Sequence, residues 1–238
     1  MKRSDKAGFT IIETMLFLGI TGLLIVGILA GAGVSINIQR YRDSITSLQS
    51  FFQQQYSNVS NVNNDNSGNL ACYGDNSVKA RGQSDCVILG KYITTSADGN
   101  SLIIKSIVGY TPSGTISSSN DLSALQQYNI KVSSISSETY NTEWGTSLVS
   151  VGNHGIAKFS VLIVRSPSSG VLRTFIDPTT VISDNNVASL INTNALKSPV
   201  KACVNSNGLF TGATMAVLIN AGISSSSGVE TLGDNSGC

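Results

Sequence analysis

The chain has 238 residues and nearly balanced charge, with 15 Lys and Arg against 14 Asp and Glu. Residues 63–238 alone carry 10 basic and 11 acidic side chains. This excludes the strongly basic composition typical of nucleic-acid binders, and the length of that region suffices for one domain with a sizeable core.

The first predicted element is a long apolar helix. From Phe9 to Ile36 the only ionisable side chain is Glu13. Because a membrane-spanning helix needs about 20 apolar residues, residues 9–36 are long enough to cross a bilayer. A carboxylate in such a segment costs roughly 2.5–3.5 kcal/mol on insertion scales, which makes Glu13 a candidate functional residue that needs a partner.

Residues 1–8 precede this run as a short leader. Three basic side chains and one acidic side chain make it net basic: Lys2, Arg3, Lys6 and Asp5. A basic leader favours a cytoplasmic N-terminus, although Arg40 and Arg42 beyond the run weaken the asymmetry. An ordinary secretory signal has its small residues after the apolar core, whereas Ala7 and Gly8 come before it. Cleavage at Gly8 would therefore leave the apolar segment on the mature protein.

The segment Gly8-Phe9-Thr10-Ile11-Ile12-Glu13, between a basic leader and a long apolar run, resembles the class III signal of type IV pilins and type II secretion pseudopilins. The resemblance covers the first 45 residues or so. It implies that a prepilin peptidase cleaves between Gly8 and Phe9 and methylates the new N-terminus of Phe9. It also implies that Glu13, the fifth mature residue, supports filament assembly.

The family resemblance implies partners and a location as well. The partners are other pilin subunits in a homo- or heteropolymer, the prepilin peptidase, the pilus assembly platform and, before assembly, the membrane. The chain would be a single-pass protein of the cytoplasmic membrane, with a cytoplasmic N-terminus, and then part of a fibre on the bacterial surface. No cofactor is expected.

Charge pairing also suggests a role for Glu13, independently of the family resemblance. Cleavage creates a positive α-amine at Phe9, and Glu13 of one subunit can pair with that amine of a neighbour. Pairing offsets the cost of burying each charge, and removal of one partner leaves the other charge buried and unpaired. The alternative is a simple anchor whose Glu13 lies near the lipid headgroups.

The helix is predicted to continue to about Val62, with residues 37–62 as an amphipathic extension. Apolar residues recur at intervals of three and four on one face: Ile38, Tyr41, Ile45, Leu48, Phe52, Tyr56 and Val59. This pattern indicates a helix that leaves lipid and then packs against its own globular domain. The membrane half contains five glycines, small residues of the kind that let transmembrane helices approach closely: Gly19, Gly22, Gly27, Gly31 and Gly33.

Residues 63–238 are predicted to form the extracytoplasmic globular domain. Strand-like runs bounded by turn residues are Val87–Ile93, Leu102–Val108, Tyr128–Val132, Ile156–Val164, Val171–Ile176, Val200–Asn205 and Ala213–Asn220. Ser166–Gly170 and Asn205–Gly208 are predicted hairpin loops, and Asn185–Leu196 is a predicted short helix capped by Asp184 or Asn185. The expected fold is α+β, with the long helix packed on an antiparallel sheet.

Four cysteines, at positions 72, 86, 203 and 238, suit an exported domain. They allow three pairings, and proximity in the sequence favours Cys72–Cys86 and Cys203–Cys238, with unpaired thiols as the alternative. A zinc site is disfavoured because the ligands are not clustered. A disulfide-closed C-terminal segment is similar to the variable loop of many pilins.

No catalytic motif is found, and we expect no enzyme and no metal site. His154 is the one histidine and has no acidic neighbour in the sequence, and nothing in the sequence gives Glu138 and Glu143 separate acid and base roles. Three basic pairs are too dispersed to indicate nucleic-acid binding, which stays an open alternative: Lys79/Arg81, Arg165/Arg173 and Lys197/Lys201.

The sequence thus predicts a structural subunit of a type IV pilus-like filament or pseudopilus. The size and the divergent domain favour a minor pilin or pseudopilin, and the segment Cys203–Gly208 is loosely similar to pseudopilins of the FimT/GspH type; a major pilin stays open. The rival hypothesis is a single-pass, membrane-anchored extracellular binding or adhesin domain that does not polymerise. An anchored enzyme is a third, less favoured class.

Overall fold

One long helix and two antiparallel sheets account for most of the described chain. The computed structural model describes residues 10–61, 87–111, 120–152, 155–209, 212, 214–233 and 236–238, except the side chains of 134–136. The chain divides between Arg40 and Tyr41 into an N-terminal unit, Met1–Arg40, and a globular unit, Tyr41–Cys238. The predicted α+β class is confirmed.

Helix α1 runs from Ile11 to Ser60 without interruption. No proline breaks it, and the predicted ends Phe9 and Val62 lie outside the described residues. The predicted stripe is confirmed in the globular unit, where six of its residues are buried: Tyr41, Ile45, Leu48, Phe52, Tyr56 and Val59. Ile38, which precedes that unit, is half-buried.

The first sheet has five strands in the order β3-β2-β1-β5-β6, all antiparallel to their neighbours. Its strands are β1 (Val87–Thr95), β2 (Ser101–Tyr110), β3 (Asn129–Asn141), β5 (Ser160–Arg165) and β6 (Leu172–Asp177). Alternate residues of these strands point to opposite faces. Ile93 and Val161 therefore belong to the core that contains α1, and Tyr92 and Leu162 to a second core.

The second sheet has four strands in the order β4-β7-β8-β9. Its strands are β4 (Ser147–Val149), β7 (Val200–Asn205), β8 (Met215–Ile219) and β9 (Val229–Leu232). Val204, Val217 and Val229 from this sheet join the core that contains α1. The second half of α1 thus packs against residues of both sheets.

The second core lies on the other face of the five-stranded sheet. It is covered by α2 (Asp121–Gln126) and by a 3₁₀ helix, Asp184–Leu190. Helix α2 begins where the Asn120 side chain accepts a hydrogen bond from the Ser123 N–H at 2.9 Å. Leu125 and Leu190 then bury their side chains in this core.

Three predictions for the globular unit need correction. The predicted strand Tyr128–Val132 is only the beginning of β3, which continues to Asn141 because it pairs with β2 along its length. The predicted helix Asn185–Leu196 is the shorter 3₁₀ helix, and it follows Ser183 without a side-chain cap from Asp184 or Asn185. The predicted strand Ile156–Val164 begins only at Ser160, because Ile156 forms just an isolated bridge with Val149. Strands β4 and β9 and helix α2 were not predicted at all.

Both predicted turns are present at strand ends. Ser166–Gly170 connects the antiparallel pair β5 and β6, with the Gly170 N–H donating to the Ser166 carbonyl at 2.8 Å. Asn207 and Gly208 have φ values of 48° and 90°, directly after β7. Two successive positive φ angles are what the tight turn of an Asn-Gly pair requires.

Candidate assembly segment and its globular unit

The first half of α1 exposes an apolar surface on all sides. Every residue from Ile11 to Ile36 except the half-buried Thr21 is exposed, and the exposed fraction of Ile12 reaches 78%. Among the described residues this is the one helix long and apolar enough to cross a membrane, and its most apolar window buries none of its residues. Its apolar character therefore does not come from a place in the core of this chain, and the segment could cross a membrane.

Glu13 lies in the first turn of this helix. The Glu13 N–H donates to Oγ1 of Thr10 at 3.3 Å, and the Thr14 N–H donates to the Thr10 carbonyl at 3.1 Å. Thr10 therefore caps the helix from the residue before it. Sequence reasoning missed this cap, although Thr-x-x-Glu before an apolar run is the spacing of a capping box.

The Glu13 carboxylate is exposed, and no cation in the described ranges forms an ion pair with it. A negative charge in the first turn interacts favourably with the helix dipole. That contribution is small beside the cost of a carboxylate in lipid. A partner from another molecule would offset far more of this cost.

The five glycines of this half are not explained by packing within the chain. A Cβ placed on Gly27 or Gly31 meets no atom within 4 Å, and Gly19, Gly22 and Gly33 are equally open. Gly27 and Gly31 are four residues apart, so they lie on one face of the helix. They leave a flat surface against which a second helix can approach closely.

The second half of α1 is fixed by polar as well as apolar contacts within the globular unit. The Tyr41 hydroxyl donates to the Val204 carbonyl at 2.7 Å and accepts from the Met215 N–H at 2.8 Å. The Tyr56 hydroxyl shares a 2.9 Å hydrogen bond with the Thr174 hydroxyl. Burial raises the pKa of Tyr56 to about 12, although the Thr174 bond lowers it somewhat.

The C-terminus is tied to the second sheet. Cys203 and Cys238 form the predicted disulfide, with their Cα atoms 5.8 Å apart. The Lys201 ammonium also donates to the Ser236 carbonyl, and the Cys238 N–H donates to the Ser236 hydroxyl at 3.3 Å. The last residues are thereby held against β7.

Several predicted residues lie outside the described part of the chain. These are Gly8, Phe9, Cys72, Cys86, Lys79, Arg81 and His154. The prepilin cleavage site and the Cys72–Cys86 pairing therefore stay predictions.

The two acidic candidates of the globular unit, Glu138 and Glu143, each contact a different side chain. Glu138 pairs with Lys91 at 3.3 Å, whereas Glu143 accepts from the Ser47 hydroxyl at 2.7 Å. Of the groups that the structure describes, no three His, Cys, Asp or Glu side chains are placed to hold a metal ion.

The basic pair Arg165 and Arg173 does not form one patch. Arg173 lies opposite Val164 in the β5–β6 register, so the two arginines project from opposite faces of the sheet. Arg165 donates to the carbonyls of Gly170 and Ser60, while Arg173 contacts the Asp121 carboxylate at 3.4 Å. Hydroxyl donors from Ser169 and Ser166, together with Arg173, hold the pKa of Asp121 below its usual value.

Comparison with known proteins finds no family model, no curated protein and no solved structure that matches this chain.

Proposed function

We propose that this chain is a subunit of a type IV pilus-like filament or a pseudopilus. The observation that carries the proposal is the contrast within α1, whose first half is apolar and exposed on all sides while its second half is buried in the globular unit. A helix that is apolar all round needs an apolar environment on every side. Lipid supplies it before assembly, and neighbouring helices supply it in a filament.

The proposed precursor is cut by prepilin peptidase between Gly8 and Phe9, and Phe9 is methylated. The mature α-amine then lies four residues before Glu13 in the sequence. In a filament, Glu13 of one subunit pairs with the Phe9 amine of the next. Because removal of one member of a buried pair typically costs about 3–5 kcal/mol, the pair selects a single axial register between subunits.

The open glycine surface supports the same proposal. Helices in a filament core are crowded, and small residues at positions such as Gly27 and Gly31 allow close approach. The globular unit supplies the outer surface and further subunit contacts. Within the family we favour a minor pilin or a pseudopilin.

Mass spectrometry of fibres sheared from the native host tests the processing step. We expect a mature chain that begins at Phe9 and carries one added methyl group on its N-terminus. A chain that keeps residues 1–8 and lives as a solitary membrane protein would instead support the anchored binding-domain alternative.

Substitution of Glu13 tests the assembly step. We expect Glu13→Ala to be cleaved and inserted normally but to be absent from sheared fibres, because the neighbouring amine loses its partner. Glu230→Ala is the matched control, since Glu230 is an exposed carboxylate in the globular unit. Equal amounts of both variants in fibres would contradict the proposed role of Glu13.

A further inference from the structure

The one tryptophan of the chain lies in a short turn that follows β3. Trp144 belongs to the 3₁₀ turn Glu143–Gly145, named here the Trp144 turn. It has a contact of its own within the chain, and 50% of it is nevertheless exposed. Its backbone has φ 56° and ψ 25°. A bulky residue with positive φ is an outlier, and such outliers cluster at functional sites.

Hydrogen bonds attach the Trp144 turn to the beginning of the globular part of α1. The globular unit starts at residue 41. The Ser44 hydroxyl shares a 2.7 Å hydrogen bond with the Thr146 hydroxyl. One helical turn later, the Ser47 hydroxyl donates to the Glu143 carboxylate at 2.7 Å. Trp144 therefore lies at the end of the globular unit where the chain enters it from the apolar segment.

The other end of α1 contacts a different turn. Arg165 donates to the carbonyl of Ser60, the last residue of α1, at 3.3 Å. It also donates at 3.1 Å to the carbonyl of Gly170, in the β5–β6 turn. Ser60 is 13 residues beyond Ser47, which corresponds to about 20 Å along an α-helix. The Trp144 turn and the β5–β6 turn thus lie near opposite ends of the globular part of α1.

The Trp144 end of the globular unit is also the end closest to the apolar segment along the chain. Only five residues lead from Ile36, where the apolar run ends, to Tyr41. Five residues span at most about 18 Å in any conformation. A bilayer crossed by the apolar segment therefore comes closer along the chain to the Trp144 turn than to the β5–β6 turn.

Tryptophan suits the boundary between lipid and water. Its indole is apolar with one polar N–H, and tryptophan is enriched at both interfaces of membrane proteins. The surroundings of Trp144 are polar, because Glu143 is exposed and the exposed Asn207 donates to the Gly145 carbonyl at 2.7 Å. Polar groups are costly to place in hydrocarbon. The indole can thus enter the headgroup layer, whereas the turn that carries it stays outside the hydrocarbon core.

We propose that Trp144 inserts its indole into the headgroup layer of the bilayer that anchors the unassembled chain. The exposed Arg42 and Asp43 at this end carry opposite charges, so attraction to anionic lipid contributes little and the indole supplies the contact. The contact needs only the membrane insertion that the proposed subunit and the anchored binding domain share. Its loss when a subunit is extracted into a fibre rests on the proposed function.

Fluorescence quenching at different depths reads out this contact, because the chain has a single tryptophan. The full chain is reconstituted in phosphatidylcholine vesicles whose acyl chains carry bromine either next to the headgroups or near the bilayer centre. We expect the shallow bromines to quench Trp144 more strongly than the deep ones. Absence of quenching by both lipids would overturn the inference.

A relocated tryptophan is the matched control. The double variant Trp144→Phe/Val171→Trp moves the single indole to the end of the β5–β6 turn, where Val171 is 40% exposed. Its emission should be red-shifted from that of the wild type, and neither lipid should quench it. An unchanged urea midpoint checks that this variant folds. Equal quenching of the variant and the wild type would contradict a lipid contact specific to the Trp144 end.

A tryptophan in the apolar segment separates failure of this inference from failure of the proposed function. Trp144→Phe/Phe17→Trp places the indole where Phe17 is 67% exposed, and the deep bromines should quench it most strongly. If this variant is quenched and the wild type is not, the inference is wrong while membrane insertion stands. If neither is quenched, the membrane step of the proposed function is wrong as well.

Discussion

The two halves of α1 belong to one helix but meet their surroundings in different ways. Residues 11–36 are apolar on every face and almost all exposed, whereas from Tyr41 onward the apolar side chains form one stripe that is buried in the globular unit. The backbone hydrogen bonds are of the same kind in both halves. The difference lies only in which side chains project from the helix.

This contrast shows how a helix sequence encodes its environment. A single stripe can be satisfied by one protein surface, and the globular unit supplies that surface. An apolar surface all round needs cover on every side, from lipid, from a large protein core or from several neighbouring helices, and the most apolar window of α1 buries none of its residues within the described chain. The predictions below separate these two cases, because changes in the second half should affect folding and changes in the first half should affect assembly.

The largest effect is expected from Phe52→Ala. Phe52 is fully buried, so its truncation should lower the unfolding free energy of the globular unit by about 3–5 kcal/mol. Urea unfolding of the full chain in detergent, followed by near-ultraviolet circular dichroism, measures this loss. Phe17→Ala is the control, because Phe17 is 67% exposed and should leave the midpoint unchanged. Equal losses for the two variants would contradict the distinction between the halves.

Removal of the C-terminal disulfide should have the next largest effect. Cys203 and Cys238 are 35 residues apart, for which the chain-entropy model gives a stabilisation of up to about 4 kcal/mol. The double variant Cys203→Ser/Cys238→Ser should therefore unfold at lower urea, while its far-ultraviolet helix signal before unfolding stays the same. A reducing agent should shift the midpoint of the wild type more than that of the variant; equal shifts would assign the effect to other cysteines.

Alkaline pH should destabilise the globular unit through Tyr56. Its pKa is raised to about 12 in the folded protein, against about 10 in the unfolded chain. The unfolded state therefore loses its proton first, so the stabilisation is complete below pH 10 and is lost as the pH rises toward 12. The loss amounts to about 2–3 kcal/mol, and urea midpoints measured across this range test it. Tyr56→Phe should show a shallower decline, and an equally steep decline in that variant would exclude Tyr56 as the cause.

The smallest effect on folding is expected from Gly31→Leu. A side chain at this position meets open space within the chain, so the unfolding free energy should stay within about 0.5 kcal/mol of the wild type. Fibre incorporation should nevertheless fall, since the new side chain blocks close approach of a second helix. Full incorporation of this variant would show that the glycine surface does not face another subunit.

Most of α1 was predictable because its signal is local and periodic. The stripe of the second half repeats every three or four residues, and the structure buries six of its seven predicted members. Strands β1, β2, β6 and β7 were also found within a few residues of their bounds, since turn residues flank their apolar runs. The apolar segment around Glu13 could be predicted from its composition alone.

The missed elements are short and depend on partners that are distant in the sequence. Strand β4 has three residues and exists because it pairs with β7, more than 50 residues further along the chain. Strand β9 contains Glu230 and Thr231 among its four residues, so its own pattern is weak without the neighbouring β8. Residues 156–159 include the apolar Ile156, Ala157 and Phe159 but lack a continuous strand partner, so they form no strand.

The amino-acid sequence by itself determined the apolar segment with its single carboxylate, the helix that continues from it, and the positions of most strands. These features follow from hydrophobic periodicity and turn residues, which act over a few neighbouring positions. Only the tertiary structure decided that the strands form two sheets, one of five strands and one of four. Strand order depends on pairing between distant segments, which local sequence patterns do not specify.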